Sequence, residues 1–373
     1  MTLHLVAPSP HSETTRAFDV DAFAAKCRRL GSMLTAQGER VVLYGGPANE
    51  SVVYDFVPLV TRDEQRGWFG DFDPMRDVFN AFDNHHPAWQ AFNTRAIAAI
   101  RERAEPGDIL GLTMGLSHKP IADALPELLA VEMGIGYSGV FAPYRVFESY
   151  AWMHFLAGRE PSDDVRYFDT VIGNAYDADE FPAGTGSGGY HLFMGRFTAR
   201  KGIEIAVEAT KRLGVRLVIA GPGEDPEVSA WLAQNDGHVE RVGSVTGPER
   251  ATLMGEATAL WAPTIYLEPF GSVVTEAMTT GTPVITTDWG AFTETVANGV
   301  SGFRCRTLVE FVEAGRAVET LDRTGIRAYA LSRYSTAVVG PQYGAYLAKL
   351  RTLRGDGWYT EAESDLTRVP VPA

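Results

Sequence analysis

The chain has 373 residues, 45% hydrophobic and 21% charged, which suffices for two domains that each bury a core. Its net charge of −14 argues against a broad electropositive face for nucleic acid while leaving room for a local basic groove. Cys27 and Cys305 supply neither a disulfide framework nor metal-ligand spacing, and no apolar run approaches the roughly 20 residues that span a bilayer, so a cytoplasmic protein without stable membrane insertion is expected.

In chain order, "LHLVA" reads as a strand, 18–37 as a helix ended by Gly38, and "RVVLYGG" as the next strand. Lys26, Arg28 and Arg29 on that helix, like Arg95, Arg101 and Arg103 later, read as solvated helix faces. Residues 61–93 break the rhythm. They are rich in aromatics (Trp68, Phe69, Phe72, Phe79, Phe82, Trp89, Phe92) and read as an insertion with short helices. A helix over 88–104, a strand over 108–112, and apolar runs at 128–133 and 170–172 complete a first domain, 1–182. "PAGTGSGG" then reads as a linker. A second domain, 183–334, carries a sheet running from 190 to about 305; a helix within 335–355 and an irregular tail, 356–373, follow.

Two segments of the second domain carry chemistry. "YHLFMGRFTARKGIEIAVEATKRLGVRLVIAGPG" is a strand–helix–strand unit, with Gly195-Arg196 at the first strand's end and Lys201-Gly202 at the helix start, where open α/β sheets bind ligands. Two cations there suit a diphosphate. In "YLEPFGSVVTEAMTTGTPVITT", Glu268 and Glu276 stand eight residues apart around a helix start. Pro269, Phe270 and Gly271 form the turn, Ser272 is the expected cap, and the amides of Gly271, Ser272, Val273 and Val274 would converge on an anion. Otherwise Glu276 merely complements the helix dipole and Glu268 is a solvated loop residue.

These motifs resemble retaining glycosyltransferases of family 4, with the E-x7-E element in its "EPFG" form. The resemblance implies a GT-B fold: two α/β Rossmann-like domains facing an interdomain cleft, with the last helix crossing back onto the first. It implies a nucleoside diphosphate sugar as donor, with no metal and no other cofactor required. Arg196 and Lys201 would neutralise the leaving diphosphate, Glu268 would hold the donor sugar and Glu276 the ribose. "VIGNAYDADEF" matches the family's strand into the interdomain connection, with Asn174, Asp177 and Phe181 in place. Family 4 enzymes place a pocket histidine near the donor sugar after the strand at 108–112, where this chain has His118; the alternative is a structural histidine.

The first domain looks like a bacteriophage-encoded branch of that family, on "VAPSPHSETTRAFDVDAFAAKCRRLGSMLTAQGERVVLYGG" and "GIGYSGVFAPYRVFESYAWMHF". It departs from the common pattern in having Pro8-Ser9-Pro10-His11 where a glycine-rich turn is usual. His11, Thr14 and Thr15 would then make side-chain contacts, or the threonines only cap a helix. Tyr137, Arg145, Glu148 and Ser149 are acceptor-side candidates, Arg145 and Glu148 alternatively forming an intrahelical ion pair.

"GIGYSG" matches a dinucleotide fingerprint, which keeps an NAD-dependent oxidoreductase as a rival reading, but no suitable helix visibly follows it. D-x-D triplets at Asp19, Asp71 and Asp177 are set aside as chance, and a noncatalytic nucleotide-sugar-binding module is the other rival. The acceptor is expected among a hydroxymethylated pyrimidine in DNA, a virion protein and a surface glycan. The DNA reading rests on the aromatic insertion, above all Trp68, stacking an extruded base.

Overall fold

The computed structural model describes residues 1–77, 83–160, 168–223, 225–235 and 237–353. Phe79, Phe82 and the tail 356–373 lie outside them. Thirteen strands form two all-parallel sheets among the described residues. The first takes β1 (Thr2–Val6), β2 (Arg40–Gly45), β3 (Asp55–Pro58), β4 (Ile109–Leu112), β5 (Leu129–Ile135), β6 (Tyr144–Phe147) and β7 (Thr170–Val171), in the order β3-β2-β1-β4-β5-β6-β7. The second takes β8 (His191–Met194), β9 (Leu217–Ala220), β10 (Val239–Gly243), β11 (Leu260–Ala262), β12 (Val284–Thr287) and β13 (Gly302–Cys305), in the order β10-β9-β8-β11-β12-β13. Both orders reverse beside their first strand, so each sheet has a switch point where the loops at the strands' carboxyl ends part and leave a crevice.

Helices cover both sheets. Those of the first are α1 (Ala22–Ala36), α2 (Arg62–Phe69), α3 (Pro87–Arg101), α4 (Lys119–Ala124) and α5 (Tyr150–Ala157); those of the second are α6 (Ile203–Leu213), α7 (Pro226–Asn235), α8 (Gly247–Glu256), α9 (Ser272–Thr279), α10 (Phe292–Thr295), α11 (Leu308–Ala317) and α12 (Arg323–Tyr334). The last helix, α13 (Thr336–Thr352), returns to the first sheet. Its Val339, Tyr343, Tyr346 and Leu347 pack in one core with Leu30, Met33 and Leu34 of α1.

Three local readings change. The helix expected from residue 18 starts at Ala22, because the Asp21 carboxylate accepts from Phe23 N–H (2.9 Å) and Ala24 N–H (3.3 Å), after a separate 3-10 turn at Arg16–Phe18. The strands β3 and β6 were not anticipated. Each has four residues with a proline in or beside it, and sheet neighbours supply what the local sequence lacks. Among the described residues of the aromatic insertion, Trp89 and Phe92 are fully buried, Trp68 lies half-buried on the cluster of Val6, Tyr44, Leu110 and Leu112, and Phe72 is half-buried at the edge of a cleft.

The two sheets are held facing each other by polar contacts. Tyr176 N–H donates to Tyr334 O at 2.8 Å, and Thr336 N–H returns a bond to Tyr176 O at 3.1 Å. Glu294 of α10 accepts from the amides of Tyr150 (2.9 Å) and Ala151 (2.7 Å), so a carboxylate of one domain caps α5 of the other. Ser149 Oγ donates to Pro269 O at 2.6 Å beside it, and Ser244 Oγ donates to Met75 O at 2.6 Å across the other side.

Candidate functional site

Between the carboxyl ends of the two sheets lies a cleft of about 1170 Å³. Its second-domain wall is built by the loops after β8 and β11, on either side of that sheet's switch point. Gly195 and Gly221 meet there backbone to backbone: a Cβ on Gly221 (φ 147°) would stand 2.0 Å from Gly195 O. Arg196 follows, exposed on the cleft wall and without an ion pair among the described residues. Lys201, mostly buried, donates to Glu268 Oε2 and to Tyr266 Oη, both at 2.8 Å. Burial works against its charge, but Glu268 and Tyr266 outweigh that and hold its pKa above the usual lysine value. Glu268 is 8% exposed, so it is no solvated loop residue.

The α9 N-terminus differs from expectation in its cap. Gly271, in the left-handed region (φ 82°), is the cap residue, and Ser272 is the first helical residue, its Oγ accepting from Asn174 Nδ2 at 3.4 Å. The reason is steric: the chain must turn tightly against Phe292, and a Cβ on Gly271 would lie 2.4 Å from that ring. Val274 N–H is spent on Gly271 O at 2.9 Å, and its side chain is fully buried away from the cleft. The expected four-amide nest thus reduces to Gly271, Ser272 and Val273. Phe270 lines the cleft at their base, edge-on to Tyr334.

Glu276, 4% exposed, accepts from Arg250 Nε (3.0 Å) and Nη2 (2.6 Å) on its Oε2, while its Oε1 faces Arg29 Nη1 of the first domain at 3.8 Å. Arg29 is held by Glu180 (3.0 Å) and by the faces of Tyr176 and Phe181. Lys26, one turn earlier, ion-pairs Glu148 at 2.5 Å, and Arg28 pairs with Asp19 and Glu180, both at 2.8 Å. These three cations are therefore not a solvated face. Their signal was present: Lys26, Arg29 and Met33 fall at helical spacing with Ala22, Ala25 and Leu30, and all six line the cleft. By contrast Arg95, Arg101 and Arg103 are exposed.

On the first-domain wall, His11, Tyr137 and Glu148 line the cleft. His11 Nδ1 lies 2.7 Å from Ser9 Oγ, its ring meets Phe72 edge-on, and burial lowers its pKa to about 3. The Tyr137 hydroxyl donates to the buried Glu132 at 3.3 Å.

Several expected site residues are elsewhere. Thr14 donates to Asn49 Oδ1 at 2.7 Å, and Thr15 precedes the 3-10 turn without capping it by its side chain; neither lines the cleft. Arg145, on β6, pairs with Asp169 at 2.8 Å, so the intrahelical pair with Glu148 does not form. His118 is fully buried against Trp89 and Phe92 of α3, with its Nδ1 accepting from Thr113 N–H at 3.4 Å. Burial lowers its pKa to about 3 although the Ala7 and Pro8 carbonyls oppose this. Trp68 packs on the core, as above.

The set-aside motifs have structural occupations. "GIGYSG" closes β5 and leads through a loop to β6, with no helix to receive a pyrophosphate. Asp21 caps α1, Asp19 pairs with Arg28, and Asp177 accepts from Asp179 N–H at 2.9 Å.

Two facing Rossmann-like sheets with a cleft between them define the GT-B fold. Comparison with solved structures agrees. AviGT4, a glycosyltransferase involved in avilamycin A biosynthesis, superposes with a TM-score of 0.70 at 20% identity over 94% of this chain and 98% of its own. HepE of Anabaena, solved with UDP and glucose, gives 0.68 at 15% identity over 93% and 99%. Residues 184–323 match the family model "Glycosyl transferases group 1". A phosphatidyl-myo-inositol mannosyltransferase of Mycolicibacterium smegmatis is 33% identical over 117 residues, 30% of this chain and 30% of the mannosyltransferase. The chain thus spans about a third of the length of the curated relatives it matches.

Proposed function

We propose that the protein transfers a sugar from a nucleoside diphosphate sugar to a hydroxyl acceptor with retention of the anomeric configuration. The observation that carries this reading is the convergence, at one switch point, of a cation without an ion pair among the described residues (Arg196), a buried cation paired to a carboxylate (Lys201 with Glu268) and a helix N-terminus bearing open amides (Gly271, Ser272, Val273). Such a grouping stabilises charge that develops on a leaving diphosphate. The match of residues 184–323 to a glycosyltransferase family model supports the donor assignment, and Glu276, bonded by Arg250 through one oxygen, has its other oxygen 3.8 Å from Arg29, a separation at which it can still accept from a ribose hydroxyl.

Both glutamates are engaged by cations, Glu268 by Lys201 and Glu276 by Arg250, which suits donor recognition and not nucleophilic attack. We therefore assign retention to a front-face route: the anomeric C–O bond to the diphosphate breaks, the acceptor oxygen bonds from the same face, and the acceptor proton passes to the leaving phosphate oxygen. Domain closure would exclude water and limit donor hydrolysis.

An acceptor in modified DNA, the reading drawn from the first domain's resemblance to a phage-encoded branch and from the aromatic insertion, loses the support of Trp68, which packs on the core. The test is a screen of UDP-, GDP-, ADP- and dTDP-sugars, with product configuration read from anomeric proton couplings. Inversion, or the absence of any bound or cleaved nucleotide sugar, would overturn the proposal.

A further inference from the structure

We infer that the first-domain wall of the cleft is an acceptor subsite for a small, neutral alcohol carried on an apolar or aromatic body; this rests on the glycosyl-transfer reading above. The key residue is Leu116. The residue is 51% exposed, yet its backbone is pinned. Leu116 N–H donates to Gly139 O at 2.9 Å, its carbonyl accepts from Asn84 Nδ2 at 2.9 Å, and the next carbonyl, Ser117 O, accepts from Asn93 Nδ2 at 2.9 Å. Gly115, at φ 47°, brings this turn so close to Tyr137 that a Cβ would lie 2.7 Å from the ring. An apolar side chain on a backbone held in that way, and lining a cleft, is available for contact with a ligand.

Helix α5 supplies the facing surface. Trp152 and Phe155 both line the cleft, their rings 5.0 Å apart, and Phe155 is 38% exposed. Trp152 Nε1–H donates to Tyr137 O at 3.1 Å, which orients the indole, and Glu294 and Ser149 fix the helix start. Leu116, Tyr137, Trp152 and Phe155 therefore form a rigid apolar wall in the same cavity as Lys201 and Glu268. Lys26 and Arg29, which line the same cleft, are already paired with carboxylates, and Arg159 covers one face of the Phe155 ring at 5.6 Å from its centroid. Ser117 and Ser138 at the wall offer hydroxyls to orient an alcohol. In the transfer step that alcohol's O–H breaks as its oxygen bonds to the anomeric carbon, giving a neutral glycoside and the nucleoside diphosphate, which takes the proton.

The experiment compares acceptors with whichever nucleotide sugar the full-length protein cleaves: 4-nitrobenzyl alcohol, free glucose, and a hydroxymethylcytosine oligonucleotide. Transfer to the aryl alcohol is expected. Leu116→Ser and Phe155→Ser should each raise its KM about tenfold, with the calorimetric Kd for the nucleoside diphosphate and the thermal midpoint unchanged. Transfer confined to glucose or the oligonucleotide, or variants with wild-type KM, would overturn the subsite while leaving glycosyl transfer standing. Failure to bind or hydrolyse any nucleotide sugar would remove both readings.

Discussion

Lys201 and Arg196 face the same stretch of cleft in opposite electrostatic states, and the difference is measurable. Lys201 is locked to Glu268 and Tyr266, so Lys201→Ala leaves a buried carboxylate without its partner and should cost about 1–3 kcal/mol of stability. Arg196 is exposed and has no ion pair among the described residues, so Arg196→Ala should stay within about 0.5 kcal/mol. If both hold a leaving diphosphate, each variant loses roughly a hundredfold in turnover. Urea unfolding beside steady-state nucleotide release separates the two effects; full activity in either folded variant would refute its role. Arg250 acts at one remove. Both its bonds go to one Glu276 oxygen, which sets the direction of the other. Arg250→Ala should weaken nucleoside diphosphate binding about tenfold, the scale of a hydrogen bond to a charged group. The loss should shrink for a 2′,3′-dideoxy nucleotide, whereas an equal loss for both nucleotides would mean that Arg250 touches phosphate instead.

At the scale of elements, the turn into α9 carries the clearest backbone constraint. Gly271→Ala would force a side chain into the left-handed region and against Phe292. It should cost at least about 1–2 kcal/mol and loosen nucleotide binding with it. Gly67 of α2 is the control, exposed and with open space around its missing Cβ; Gly67→Ala should instead stabilise the fold by about 0.5–1 kcal/mol. Thermal unfolding of both variants checks the contrast. What was legible in the chain is local in the same way. An apolar run, Pro-Phe-Gly and two glutamates mark a strand, a turn and a helix because neighbouring residues dictate all three. Residues with distant partners were misread. Lys26 and Arg29 look solvated until Glu148, Glu180 and Glu276 arrive from other segments. His118 stands at the expected strand end, but α3 closes over its ring. The wall of Leu116, Tyr137, Trp152 and Phe155 is scattered over two loops and a helix, with no spacing that could announce it.

At the scale of the whole molecule, the cleft exists because one chain crosses between the domains twice, at Tyr176 and again at Thr336, and the cores on both sides bury titratable rings. His11 and His118 of the first domain are lowered to about 3 by burial, and His191 of the second to about 4. For His191 the geometry agrees: its Nδ1 accepts from Trp261 Nε1–H at 2.8 Å in a buried site, which requires a neutral ring nitrogen there. An unfolded histidine titrates near 6.5, so between that value and the folded one the unfolded chain binds more protons. Stability is then fully present above about pH 6.5 and is lost as pH falls toward 4. Each such histidine contributes up to about 1.4 kcal/mol per pH unit, and His191 about 3 kcal/mol over its window. Carboxylates titrate below that range and overlap its lower end, so the test is a difference. His191→Asn keeps an acceptor for the Trp261 N–H and removes the titrating ring. Urea unfolding from pH 7 to 4.5 should show the variant losing stability less steeply than the native chain by close to one proton. Equal slopes would mean that His191 is not held neutral in the folded protein.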